Sequence, residues 1–216
     1  MVNCPWSEYE KDPFPFCEEQ ICHIIGQPAN TWSNIGYFVI AWLIWRNRHL
    51  SSAKFTFLGV SLFLAIGSTL FHMSGAMWAK ILDVSAMLLL SGLCLTLSLQ
   101  KNFSWKDRTQ LLTFLVLSAL SFPLVGKGKL GGYLFLAEIA LTIGLELRLR
   151  ASKTAQSWRY LKNVLITFPI ALALNMMDQH GPLCWPTNHI FTVHGLWHLM
   201  TAFCIYRITQ YYCEIK

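Results

Sequence analysis

Residues 81–99 read ILDVSAMLLLSGLCLTLSL, an apolar run whose one charge, Asp83, stands near its start. A helix that crosses a bilayer needs about 20 mostly apolar residues, and this run meets the rule. Moving outward, the same rule selects Thr31–Trp45 and Phe55–His72 before it, and Leu111–Val125, Leu130–Leu147, Val164–Met177 and Ile190–Tyr206 after it. The first of these seven stretches is short and is expected to begin a few residues earlier. The sixth, also short, carries Pro169, which a buried span tolerates. Arg, Lys, Gly, Pro and Ser fall in the connections, where chain breaks belong. The connections are too short for a second domain, and no internal repeat or low-complexity tract is present. The fold expected is all-α: a polytopic membrane protein, a seven-transmembrane helix bundle forming one domain over residues 1–216, with residues 1–29 as an extracytoplasmic N-terminal segment.

Composition agrees. Of 216 residues, 54% are hydrophobic and 13% charged, against about 45–50% and about 25% in an ordinary globular domain. The mean hydropathy is +0.42. Disorder, collagen-like or coiled-coil structure and a small secreted cysteine scaffold are excluded. With seven spans, Lys11, Lys80, Lys127 and Lys129 share one side, and the other basic residues, of 17 in total, share the opposite side. The positive-inside rule then places the N-terminus outside and the C-terminus in the cytoplasm. The net charge of +6 is thereby a topology signal and no argument for a nucleic-acid partner. Glu8, Glu10, Asp12, Glu18 and Glu19 make the N-terminus acidic, and it has no apolar core of a cleavable signal peptide. The first span is expected to act as the insertion signal.

Cys4, Cys17, Cys22 and Cys184 all fall on the expected outer side, whereas Cys94 and Cys204 lie within spans and Cys213 is cytoplasmic. Four thiols facing an oxidising compartment form up to two disulfides in three connectivities, or stay unpaired. A bridge from Cys17 or Cys22 to Cys184 would pin the N-terminal segment to the loop before the last helix.

Titratable groups inside spans are costly and point to function. Four stand out: His72 at the end of the second span, Asp83 at the start of the third, and His194 and His198 near the start of the seventh. Because the second span runs outward and the third and seventh run inward, all four share one leaflet level. His194 and His198, at i and i+4, share a helix face and can grip one ion, with His72 as a third nitrogen. Three imidazoles plus an open position make a catalytic zinc site. Asp83 would offset the charge, and Ser68, four residues before His72, shares its face. The plainer alternatives are packing histidines, Asp83 as a helix cap and Ser68 bonded back to its own helix. Glu138 lies deeper, as a buried protonated or paired group.

Ser68-x-x-x-His72, Asp83 eleven residues beyond, and His194-x-x-x-His198 resemble the alkaline ceramidase family. That family belongs to a seven-helix membrane hydrolase superfamily that includes adiponectin-receptor-like proteins. Cys17-Glu18-Glu19 and Asn30-Thr31-Trp32-Ser33-Asn34 resemble its lead into the first helix. The resemblance implies a zinc-dependent amide hydrolase that splits ceramide, or a related N-acyl lipid, into a long-chain base and a fatty acid. It makes His72, His194 and His198 the Zn2+ ligands, Asp83 the group that orients and deprotonates the attacking water, and Ser68 a holder of that water or the oxyanion. The partners implied are a ceramide-like lipid and the bilayer; no feature speaks to oligomeric state. The family also carries a calcium site near the N-terminus. Here Pro15-Phe16 precedes Cys17-Glu18 and Gln27 stands where a later acid is expected, so Glu18, Gln20 and Glu19 are the oxygen donors left for Ca2+. The segment reads alternatively as a disulfide-tied lid over the zinc cavity. Two further functions compete: a receptor or sensor with a structural zinc, and a transporter whose histidines relay protons. The Gly- and Pro-broken spans of many transporter sites are not evident, and there is no phosphate-binding Gly loop or nucleophile elbow.

Overall fold

The computed structural model describes residues 4–13, 16–51, 53–127, 129–150, 155–181 and 183–214. Among the described residues every regular element is helical: α1 (Pro28–Ser33), α2 (Ile35–Arg46), α3 (Lys54–Ser74), α4 (Met77–Phe103), α5 (Asp107–Val125), α6 (Leu130–Arg148), α7 (Ala155–His180) and α8 (Val193–Cys213). In hydrocarbon a backbone must satisfy its own hydrogen bonds, and a helix does so within one segment. Five of these helices, α3 to α7, are long and apolar enough to cross a membrane. The other two expected spans differ in instructive ways. The first starts at Pro28, whose missing N–H suits a helix's opening turn, and is divided at Asn34 into α1 and α2. The last, α8, is long enough but carries His194, His198 and Arg207.

The exterior is apolar, as lipid contact requires. On α5, Leu111, Leu115, Val116 and Leu120 are each more than half exposed. Hydroxyls inside the helices bond back to the carbonyl one turn earlier: Thr69 to Ala65, Ser74 to Leu70, Thr201 to Trp197 and Thr209 to Ile205.

The chain divides into two compact units, Met1–Asp83 with Arg159–Lys216, and Val84–Trp158. In the first, α1 and α2 pack against both α3 and α8, and α3 meets α8. The N-terminal strap runs beside the α3–α4 junction: Lys80 pairs with Asp12 at 2.6 Å, and Lys11 Nζ donates to Ser74 O at 2.7 Å. Burial lowers the Lys11 pKa below its ordinary value. α3 ends on Gly75 in the left-handed conformation, φ 63°, which glycine adopts without steric cost. In the second unit α5 packs on α6, and two acids of α6 are paired, Glu138 with Ser91 and Glu146 with Ser98.

Four cysteines are bridged, Cys4 to Cys22 and Cys17 to Cys184. Of the readings left open by the sequence, the strap is therefore tied through Cys17 to the loop before α8. Cys94, Cys204 and Cys213 are buried.

Candidate metal centre

α3 delivers His72 in its last turns, and α8 delivers His194 and His198 in its first two. The start of α8 is set by Thr192, whose hydroxyl accepts the Gly195 N–H at 2.9 Å and donates to Asn30 Oδ1 at 2.6 Å. Asp178, near the end of α7, accepts the His194 N–H at 3.2 Å through Oδ1. These anchors bring together three residues far apart in sequence. His72, His194 and His198 are only 1%, 4% and 2% exposed. Their centroids lie 4.5–4.9 Å apart, and one ring nitrogen from each falls within 4.8 Å of the other two.

The outer nitrogens determine how the inner ones face. His72 Nδ1 lies 2.8 Å from Gln27 Oε1, and the Gln27 amide is oriented by its own N–H donation to Glu18 O at 2.7 Å. His194 Nδ1 lies 2.8 Å from Asn175 Oδ1. His198 Nδ1 lies 2.8 Å from Ser33 Oγ, and the single Ser33 proton is directed to Asn30 O at 2.9 Å. In each pair the partner is an acceptor, so Nδ1 carries the proton and Nε2 keeps its lone pair. Two of these lone-pair nitrogens, on His72 and His194, stand 3.2 Å apart. Neutral imidazoles so arranged repel unless a cation joins them. Two nitrogens at about 2.0–2.1 Å from a tetrahedral zinc stand about 3.3 Å apart, so the donor set fits such an ion in chemistry and spacing.

Ser68 and Asp83 lie beside this cluster. α3 and α4 approach closely at Gly67: a Cβ there would stand 3.1 Å from both Asp83 N and Leu82 C. The absent side chain brings the Asp83 carboxylate next to the Ser68 hydroxyl. α4 begins at Met77, so Asp83 lies beyond its first turn and is not its cap. Glu138, in α6, is paired with Ser91.

Residues 11–215 match the family model described as Ceramidase. The chain belongs to the ceramidase family. No curated protein and no solved structure matches it. Within this ceramidase-family chain, the residues that hold the histidines were not foreseen: Gln27, Ser33, Asn175 and Asp178. Ser33 lies in the Asn30–Asn34 stretch that carries the family resemblance, and Asn175 and Asp178 are polar groups at the end of an apolar run; these were the available signals. Glu18 is 1% exposed. Its two carboxylate oxygens accept the Ala29 and Asn30 N–H groups at 2.9 and 2.8 Å, and Oε1 also meets His189 Nδ1 at 3.0 Å. It therefore caps α1, satisfying donors that every helix start leaves open. Gln20 directs its Nε2 to Met73 O at 3.4 Å. Among the described residues, the histidine cluster is the group of His, Cys, Asp and Glu donors arranged to hold an ion.

Proposed function

We propose that this protein is a zinc-dependent intramembrane hydrolase that cleaves the amide bond of ceramide or a related N-acyl lipid, with His72, His194 and His198 as the metal ligands. The observation that carries the reading is the convergence of three Nε2 lone pairs whose outer nitrogens are all anchored, in a chain of the ceramidase family. A divalent cation of zinc's kind held there would polarise the scissile carbonyl and lower the pKa of water to about 7.

The chain's own groups do the rest. Asp83, beside Ser68, accepts a proton from the attacking water as the water oxygen bonds to the carbonyl carbon. Ser68 turns its O–H toward the carbonyl oxygen as negative charge grows there. When the C–N bond breaks, Asp83 passes the proton to the departing nitrogen. The products are a fatty acid and a long-chain base, and the carboxylate is restored. Glu18 and Gln20 help to hold the strap, and no step of this mechanism is routed through Ca2+. The site lies toward the end of the bundle on which the strap sits, and the distribution of Lys and Arg supports reading that end as the extracytoplasmic one.

The test is metal content and fatty-acid release on detergent-purified protein. Wild type is expected to hold one zinc per chain and to release fatty acid from an N-acyl long-chain base. His198→Ala is expected to lose both. Loss of metal with retained hydrolysis would defeat the mechanism, and bound metal without turnover on any N-acyl lipid would favour the sensor.

A further inference from the structure

The mechanism above leaves one close neighbour of the histidines unused. The Phe16 ring lies 4.2 Å from His194 and 5.0 Å from His72, centroid to centroid, and meets Phe71 edge-on at 5.7 Å. It belongs to the strap, not to a helix, and the residues after it hold it in place. The Cys17 N–H donates to Asp178 Oδ2 at 3.0 Å, and Cys17 is bridged to Cys184. The Glu18 carboxylate is fastened to the first turn of α1. Asp178 also accepts the His194 N–H, so a single carboxylate seats both the strap and a ligand-bearing helix.

The level of the ring decides what it blocks. It touches α3 at Phe71 and His72 and α8 at His194, at the end of the bundle where α3 finishes and α8 begins. Ser68 lies one turn back along α3, about 5.4 Å away, and His198 one turn further into α8. Asp83 stands beside Gly67, at the level of Ser68. The reacting groups therefore lie behind the ring as seen from the membrane surface. An aromatic face packed on two imidazoles offers a dissolved substrate an apolar surface there, while the polar neighbours Gln27, Asn175 and Asp178 are engaged with the histidines and the strap.

We propose that Phe16 is a specificity-determining residue: its ring walls the histidine centre off from the aqueous side, so that the amides hydrolysed are those held in the bilayer and not those dissolved in water. The substrate half of this statement rests on the function proposed above; the wall itself does not.

The experiment compares wild type, Phe16→Ala and Phe16→Tyr in detergent with the disulfides intact. Its first arm needs neither metal nor turnover. Metal-stripped protein is treated with a small dose of diethyl pyrocarbonate, and carbethoxylation of each histidine is followed by peptide mass spectrometry. In Phe16→Ala, His72 and His194 are expected to react about tenfold faster than in wild type, because reagent access follows local opening. Phe16→Tyr is expected to match wild type, and exposed His23 and His49 to react alike in all three. Equal rates at His72 and His194 in wild type and Phe16→Ala overturn the proposal. The second arm measures hydrolysis of a soluble acetyl amide against a long-chain amide in liposomes. The soluble-to-embedded ratio is expected to rise about tenfold in Phe16→Ala as water gains access and to hold in Phe16→Tyr; an unchanged ratio overturns the specificity role. No turnover in any of the three refutes the hydrolase and with it the specificity role, while the labelling still decides the wall. If Phe16→Ala fails to fold, wild type with Cys17–Cys184 reduced takes its place, with the same faster labelling expected and unchanged labelling overturning the wall.

Discussion

Glu138 and Glu146 of α6 and the three histidines of α3 and α8 are all polar groups set among apolar helices, yet their partners differ in kind. Each acid meets a donor: Ser91 bonds Glu138, and Ser98 bonds Glu146 Oε1 at 2.5 Å. Close by, the Asn102 amide donates to Ser98 O and Leu145 O. Donor faces acceptor throughout, and these contacts fasten α4 to α6. The histidines are matched only on their outer edges. On their inner edges acceptor faces acceptor, as with the His72 and His194 Nε2 atoms 3.2 Å apart. Burial alone therefore does not mark a functional group in a membrane bundle. Convergence of like atoms does, because a shared cation relieves it.

The most forceful attempt to break this contrast is His198→Ala. Bound zinc should fall from one per chain to none by elemental analysis, and fatty-acid release should drop by about 10³-fold or more, as loss of a metal that activates water demands. Next is Asp83→Asn, which keeps the shape and an acceptor beside Ser68 but loses the base. Hydrolysis should fall about 10²- to 10⁴-fold while metal content stays at the wild-type level. A variant that lost the metal too would make Asp83 a ligand. Removing an outer anchor tests whether orientation matters: Asn175→Leu should weaken zinc affinity about 10- to 100-fold in a chelator competition, whereas Asn175→Asp, which retains an acceptor for His194 Nδ1, should stay near wild type. The smallest effect belongs to the matched pairs. Ser98→Ala should cost about 1 kcal/mol of stability, read as a modest fall in melting temperature, with zinc content unaltered. Loss of zinc there would erase the distinction.

The histidines were legible because an imidazole is conspicuous in a span and the i, i+4 spacing of His194 and His198 is a local signal. Their common depth followed from helix direction, so His72 could be joined to them across 122 positions. Gln27, Ser33 and Asn175 were not legible. Amides and hydroxyls are ordinary at helix ends, and pairing each with its histidine depends on tertiary contact, across 165 positions for Ser33 and His198. The places of Phe16 and Asp178 beside the histidines depend on tertiary contact in the same way. The apolar cores of the helices were found by hydropathy, but α4 runs from Met77 to Phe103 and α7 begins at Ala155, beyond the expected 81–99 and before Val164. Polar turns such as Gln100–Asn102 continue a helix without contributing hydropathy. α8 begins later than expected, at Val193, because the Thr192 side chain caps it there.

The Cys17–Cys184 bridge joins residues 167 positions apart, and the ligands span His72 to His198. A nascent chain still emerging from the ribosome cannot assemble this centre, whatever fraction of its helices is already inserted. The three ligands can therefore meet only after the last helix has been made, which sets the centre among the latest features of the fold to form.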